Sequence, residues 1–203
     1  CGTTGESPTL ERADHLQAVR IGVEEAAAGK VPVLAGAGGN NTKEVIELAR
    51  ECEKLGANGI LSVTPYYNKA TQEGLFQHYT AIAESISIPI ILYSVQGRTG
   101  INIEPATVER LAAIPNIIGI KEASGNITQI AEILNRVPKG FLVLSGDDAM
   151  TLPVVSLGGN GVISVISNQI PAEMTELVRR ANDGDFDGAR VLQKRFFALM
   201  QVN

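Results

Sequence analysis

The sequence predicts an α/β fold built around a parallel sheet. Short apolar segments recur along the chain without the regular polar alternation of a sheet that has one solvated face, which indicates strands covered on both sides. Amphipathic helical segments lie between them, and this alternation is typical of right-handed βαβ units. The predicted strands are residues 31–36, 59–65, 88–95, 117–121, 141–146 and 161–165.

The spacing of these strands predicts a (β/α)8 TIM barrel. Strand starts recur roughly every 20 to 29 residues, as in a barrel of roughly 250 residues. Because six strands are present instead of eight, we expect a single, incomplete barrel domain over residues 1–203. It would lack the first strand and helix, most of the second strand and a C-terminal helical extension. The predicted helices are residues 10–28, 43–55, 72–85, 105–113, 127–137, 149–157, 172–181 and 187–200.

A flavodoxin-like nucleotide-binding module of five or six strands is the alternative fold. It requires a glycine-rich phosphate loop between a strand and a helix. The cluster at 36–39 has that placement, but no acidic residue closes the next strand. The cluster at 158–161 precedes its strand instead of following it. Both clusters therefore argue against nucleotide binding.

Composition limits the partners and the compartment. The chain has 203 residues, of which 44% are hydrophobic, and a net charge of −5. This mild acidity, without a stripe of Lys and Arg, argues against nucleic acid. No apolar run approaches the roughly 20 residues that span a bilayer, so we expect no membrane partner. Two cysteines without a disulfide framework or metal-ligand spacing favour a cytoplasmic protein without a metal.

Lys121 is the candidate nucleophile. It ends an apolar strand, and polar turn residues follow it before the next helix begins. Burial at such a strand end would lower the pKa of the ammonium and free the amine to attack a carbonyl. The alternative is a lysine that extends to solvent and pairs with the adjacent Glu122.

Other polar side chains also follow predicted strands, and in a barrel these strand ends form the catalytic rim. Each has a structural alternative, such as a helix cap for Thr4, core packing for Tyr93 and a solvated loop for Arg98. Helix capping is the favoured interpretation of Asp147 and Asp148. The histidines, His15 and His78, are expected to be satisfied or exposed. The rim set is Thr3, Thr4, Tyr66, Tyr67, Tyr93, Arg98, Lys121, Asp147, Asp148, Ile163 and Ser164.

Five motifs at these spacings carry a resemblance to a known family over essentially the whole chain. The chain resembles the dihydrodipicolinate synthase / N-acetylneuraminate lyase family, whose members are TIM-barrel class I aldolases. The motifs are Gly2-Thr3-Thr4-Gly5-Glu6-Ser7, Thr64-Pro65-Tyr66-Tyr67-Asn68-Lys69, Gly119-Ile120-Lys121-Glu122-Ala123-Ser124-Gly125-Asn126, Ser145-Gly146-Asp147-Asp148 and Gly161-Val162-Ile163-Ser164-Val165.

The resemblance implies that Lys121 forms a Schiff base with pyruvate, with no cofactor beyond this covalent imine. Tyr93 would transfer protons as a general acid and base, in a hydroxyl relay with Thr4 and Tyr67. In the family this last tyrosine reaches into a neighbouring subunit. A homo-oligomer, either a dimer or a dimer of dimers, is therefore expected.

The resemblance also implies the remaining substrate contacts. Thr3 and Thr4 would hold the pyruvate carboxylate, and the Ile163 carbonyl would line the site. Arg98 would bind the carboxylate of L-aspartate 4-semialdehyde. The implied product is 4-hydroxy-tetrahydrodipicolinate, an intermediate of lysine and diaminopimelate biosynthesis.

Two features depart from the family pattern. Ser94 and Gln96 stand where an asparagine and a proline are usual, which puts the handling of the second substrate in doubt. The chain matches a candidate allosteric site for L-lysine only in part, because Pro8 and Arg12 stand where other residues are common. The matching residues of that site are Ser7, His15, Asn40, Glu44 and Tyr66.

Two other functions remain open. An N-acetylneuraminate lyase or a 2-keto-3-deoxy sugar-acid aldolase would share Lys121 and Tyr93 but generally lacks an arginine at the position of Arg98. A catalytically inactive regulatory paralogue is the alternative of another class. The presence of Lys121, Tyr93, Thr4 and Tyr67 argues against it.

Overall fold

The computed structural model describes residues 1–2 and 4–202, and in this part of the chain a single parallel sheet forms the centre of the fold. Each strand pairs with the next one along the sequence, and an amphipathic helix follows each of the first five strands. This arrangement confirms the predicted α/β class. The strands are β1 (Leu34–Gly36), β2 (Gly59–Val63), β3 (Ile90–Ser94), β4 (Ile117–Glu122), β5 (Leu142–Ser145) and β6 (Gly161–Val162).

The helices lie close to the predicted positions, with one addition. A four-residue helix, α4, occupies the segment after β3 that was predicted to be a turn, and it carries Arg98. Within the described ranges, no helix combines the length and the apolar character needed to cross a membrane. The helices are α1 (Arg12–Gly29), α2 (Thr42–Lys54), α3 (Gln72–Ala83), α4 (Gln96–Thr99), α5 (Pro105–Leu111), α6 (Ile127–Arg136), α7 (Thr151–Ser156), α8 (Pro171–Asn182) and α9 (Phe186–Met200).

The two outermost strands are shorter than predicted, for different reasons. Before β1, Pro32 has no N–H to donate. The N–H of Val33 donates to the side-chain oxygen of Asn58 instead of to a carbonyl of a neighbouring strand. After β6, the N–H groups of Val165 and Ile166 donate to the side chain of Asp148. A side chain therefore takes the place of the strand partner that the pattern predicted.

The first glycine cluster serves close packing of the backbone. A side chain at Gly36 would overlap the carbonyl of Cys1, and one at Gly38 would overlap the backbone of Val63. Backbone fills the space that a phosphate would need, which agrees with the argument against nucleotide binding. The sequential parallel order suits a barrel, while the eight-strand closure and the elements expected to be missing stay predictions.

Candidate active site

Lys121 lies buried at the C-terminal end of β4. Its side chain is 7% exposed, and it pairs in register with Tyr93 of β3. Its Nζ lies 4.2 Å from the centre of the Tyr93 ring, and it has no hydrogen bond or ion pair with the residues that the structure describes. Burial lowers the pKa of the amine from 10.5 to about 8, while the charge of Asp148 acts in the opposite direction.

The alternative of a solvent-exposed lysine paired with Glu122 is wrong. Neighbouring residues of a strand project to opposite sides of a sheet. Glu122 accordingly accepts hydrogen bonds from the Ser124 backbone and from Gln129 of α6. The amine of Lys121 is therefore left without that carboxylate as a counter-ion.

Gly146, directly after β5, makes room for the lysine side chain. A Cβ at this position would lie 3.1 Å from both Cγ and Cε of Lys121, and 2.7 Å from the Cβ of Ala123. The absence of a side chain at Gly146 thus allows the lysine to lie along the sheet. The sequence motif includes this glycine, but it does not reveal the contact.

Tyr93 is half-buried and faces both the lysine and Arg98. Burial raises the pKa of its phenol, and the positive charge of Arg98 lowers it. The phenol is therefore protonated at neutral pH and able to donate a proton. Its ring face also stabilises a cation at Nζ.

Two cavities meet at Lys121. The larger has a volume of about 650 Å³ and is also lined by Ile163. The smaller, of about 450 Å³, is also lined by Arg98 and Asp148. The structure thus brings most of the predicted rim to one place. The residues that line both cavities are Thr4, Tyr93, Lys121 and Val165.

Two predicted site residues are not placed at the lysine. Thr3 falls outside the described residues. Tyr67 is 90% exposed, has a left-handed backbone with a φ of 72° and lines neither cavity. Tyr67 is therefore a surface residue in its own chain.

The two neighbouring aspartates have different roles. Asp147 caps the turn after β5 by accepting from the N–H of Ala149 at 2.8 Å, which confirms the predicted capping for this residue. For Asp148 that prediction is wrong. It is 5% exposed, and its Oδ2 accepts from the N–H groups of Val165 and Ile166 at 3.0 and 3.1 Å. Its other oxygen, Oδ1, has no hydrogen-bond partner among the described residues. Those partners lie in a distant loop, so no local signal predicts this role.

The candidate lysine site lies partly in the larger cavity. Ser7, His15 and Tyr66 line it. Asn40 donates to the carbonyl of Tyr66 at 3.4 Å, and Glu44 accepts from a neighbouring side chain on the surface. Five residues were predicted to share this site, and three of them line one cavity.

Both histidines are buried. His78 is satisfied at Nδ1, which forms a hydrogen bond with Oγ1 of Thr42 at 2.8 Å, as expected, whereas Nε2 of each ring has no hydrogen-bond partner among the residues that the structure describes. Burial lowers the pKa of His78 to about 4 and also lowers that of His15. Both rings are therefore neutral at pH 7. Within residues 1–2 and 4–202, no three His, Cys, Asp or Glu side chains converge in a way that could hold a metal ion.

Comparisons with known proteins extend this description. A model of the dihydrodipicolinate synthetase family matches residues 1–203. The chain is 52% identical to a 4-hydroxy-tetrahydrodipicolinate synthase of Chlorobium chlorochromatii, covering 100% of this chain and 69% of that protein.

Solved structures show the same similarity. The dihydrodipicolinate synthase of Aquifex aeolicus matches with a TM-score of 0.97 and 45% identity, covering 100% of this chain and 69% of that one. The enzyme of Cyanidioschyzon merolae, solved with lysine bound, matches with a TM-score of 0.95 and 45% identity, covering 98% of this chain and 68% of that one.

Proposed function

The chain belongs to the dihydrodipicolinate synthetase family, and on this premise we propose that Lys121 acts as the Schiff-base nucleophile of a pyruvate-dependent lyase. The reaction is the condensation of pyruvate with L-aspartate 4-semialdehyde to 4-hydroxy-tetrahydrodipicolinate. The observation that carries this role is the buried amine with a lowered pKa, packed on Tyr93 where two cavities meet.

The lowered pKa explains how a lysine acts at neutral pH. With a pKa of about 8, roughly a quarter of the amine is neutral at about pH 7.5, against about one part in a thousand at the ordinary value. The neutral amine attacks C2 of pyruvate, and loss of water gives the protonated imine. The imine then takes up electrons as C3 loses a proton, and the resulting enamine carbon attacks the aldehyde.

Proton transfer falls to the hydroxyl groups around Nζ. Tyr93, whose phenol pKa is raised by burial, donates the proton that helps water to leave and accepts protons in later steps. Thr4 lines both cavities and extends this path. The covalent imine supplies the electron sink, so no step of this mechanism calls for a metal or another cofactor.

Arg98 supports the choice of second substrate. Arg98 lines the smaller cavity with Lys121, and its guanidinium can bind a carboxylate through paired hydrogen bonds. A sugar aldehyde offers hydroxyl groups instead of a carboxylate at this position. The convergence of Lys121, Tyr93 and Thr4 on the same space also argues against an inactive paralogue.

Tyr67 supports a homo-oligomer. Tyr67 is 90% exposed on a left-handed backbone and lines neither cavity of its own subunit. We propose that it enters the site of a neighbouring subunit in a dimer or a dimer of dimers. A cytoplasmic location stays a prediction.

Inhibition by L-lysine is a separate proposal for the same family. Ser7, His15 and Tyr66 line the larger cavity, and a relative has been solved with lysine bound. Inhibition at millimolar lysine is the expected result. Unchanged activity at that concentration would contradict it.

Reductive trapping tests the proposed function. The protein is incubated with pyruvate and borohydride, and the adduct is located by mass and peptide mapping. One pyruvate-derived adduct on Lys121 is expected, together with turnover of aspartate semialdehyde. Absence of an adduct would reject the imine mechanism, and an adduct with turnover of sugar aldehydes alone would favour the sugar-acid aldolase.

A further inference from the structure

Arg98 lies in a segment that is closed at its base by side-chain hydrogen bonds. Ser94, the last residue of β3, donates from its hydroxyl to Oδ1 of Asn102 at 3.2 Å. The same hydroxyl accepts from the N–H of Ile103, also at 3.2 Å. These bonds join the two ends of residues 95–101, which we name the Arg98 segment.

Asn102 in turn forms a paired amide contact with Gln129 of α6. Its Nδ2 donates to Oε1 of Gln129 at 2.7 Å, and Nε2 of Gln129 donates back at 3.1 Å. The same Nε2 donates to Oε1 of Glu122 at 2.9 Å. Ser94, Asn102, Gln129 and Glu122 thus form one connected set, which we name the outer network.

The outer network is buried at Ser94 and Glu122 and half-buried at Asn102 and Gln129, and it lines neither cavity. Glu122 is 1% exposed, and Ser94 is fully buried. None of the four side chains lines the cavities around Lys121. The network lies on the opposite side of β4 from the lysine, so it can act on the reaction only by positioning other groups.

The network connects the two groups that must bind successive substrates. At one end it closes the Arg98 segment, and at the other it fixes Glu122, the residue that follows Lys121. Ser94 and Glu122 are also paired in register on neighbouring strands. The distance between the guanidinium and the amine therefore depends on bonds made outside the cavity.

We propose that Ser94, Asn102 and Gln129 are positioning residues that hold Arg98 for the acidic second substrate without touching it. This proposal rests on the proposed function. The proposal also gives a role to a residue that departs from the family pattern. Ser94, which stands where an asparagine is usual, closes the Arg98 segment through a hydroxyl that both donates and accepts.

The test separates the two substrates. Gln129→Met keeps the length of the side chain but removes its bonds to Asn102 and Glu122. We expect the KM for aspartate semialdehyde to rise about tenfold or more, since small displacements of a binding group have such effects. The yield of the borohydride-trapped pyruvate adduct is expected to stay within about twofold of wild type.

The matched control is Gln77→Met. Gln77 is exposed on α3 and bonds Glu73 of the same helix at 3.3 Å, so this variant is expected to match wild type in both measurements. An unchanged KM in Gln129→Met would overturn the positioning role. So would an equal loss of pyruvate trapping, which would show general damage instead.

If Gln129→Met does not fold, a second pair of variants tests the positioning role. Ser94→Ala removes the hydroxyl that closes the Arg98 segment, whereas Ser94→Thr retains it. We expect a raised KM for the semialdehyde in the first and a KM near wild type in the second. Equal values in both variants would overturn the proposal.

Wild-type measurements separate this proposal from the function on which it rests. A wild-type protein that forms no pyruvate adduct, or does not turn over the semialdehyde, would defeat the proposed function itself. Normal wild-type turnover with unaltered Ser94→Ala and Gln129→Met variants would defeat the positioning role alone.

Discussion

Lys121 and Glu122 are adjacent in sequence and both buried, but the fold treats their charges in opposite ways. On the cavity side of β4, the lysine amine has an aromatic face beside it and no hydrogen bond within the described part of the chain. On the other side, the glutamate accepts bonds from the Ser124 backbone and the Gln129 amide. One strand end thus carries an unsatisfied charge and a satisfied one.

The difference shows how one strand end can provide both reactivity and rigidity. Burial without partners disfavours the ammonium and leaves a neutral amine available for attack. Hydrogen-bond donors around a buried carboxylate offset part of its desolvation cost and fix its position. Consecutive residues of one strand thus serve these two purposes separately.

The largest effect is expected from removing the unsatisfied charge. Lys121→Met is expected to abolish pyruvate trapping at this position and to lower activity by at least about a thousandfold, since no other lysine of the described residues lines either cavity. It also stabilises the fold, because a pKa of about 8 in place of 10.5 corresponds to a penalty on the order of 3 kcal/mol for the buried ammonium. Trapping yield and urea unfolding measure the two effects.

The size of this stability effect depends on pH. Below about pH 8 the lysine is charged in both the folded and the unfolded states, so the wild type bears the full penalty. As the pH rises from about 8 towards 10.5, the folded state loses its proton first and the wild type regains stability. A methionine variant less stable than wild type at pH 7 would contradict this account.

The next largest effect is expected from filling the space beside the lysine. Gly146→Ala places a Cβ 3.1 Å from the side chain of Lys121 and 2.7 Å from that of Ala123, which displaces the amine. We expect trapping to slow by about tenfold or more and stability to fall by about 1–3 kcal/mol. Gly22→Ala on α1 meets nothing within 4 Å and is the control. Equal trapping rates in the two variants would show that the contact does not position the lysine.

A smaller effect is expected from removing the carboxylate that faces Lys121. Asp148→Asn keeps an oxygen for the backbone of Val165 and Ile166 but removes the charge that raises the pKa of Lys121. The rate of pyruvate trapping rises with pH, and we expect its midpoint to lie at a lower pH in the variant. A midpoint at the same or a higher pH would exclude a direct effect of the charge.

The smallest effect is expected from replacing Glu122, the hydrogen-bonded residue of the pair. Burial raises the pKa of Glu122 above 4.5, and bonds from Ser124 and Gln129 counteract this only in part. The folded state therefore favours the protonated carboxyl. This contribution to wild-type stability is fully present below pH 4.5 and is lost as the pH rises through the folded pKa. Over this pH range, the free energy of unfolding of Glu122→Gln is expected to rise relative to that of wild type. The opposite trend would show that the hydrogen bonds outweigh burial.

The strand order and the position of Lys121 could be predicted because they depend on local patterns. Continuous apolar segments identify buried parallel strands, and a lysine at the end of one stands out. The roles of Asp148 and Gln129 could not be predicted, since their partners lie in other elements of the fold. Tyr67 was predicted for the site, but within its own chain it lies on the surface.

A direct titration of Lys121 tests the central claim that burial without partners makes this amine reactive. Protein carrying ¹³C-labelled lysine can be followed by NMR over pH, with Lys121→Arg used to assign the signal. We predict a pKa of about 8, well below the ordinary value for a lysine side chain. A value near the ordinary 10.5 would show that the ammonium has found a partner or water, and would contradict the account.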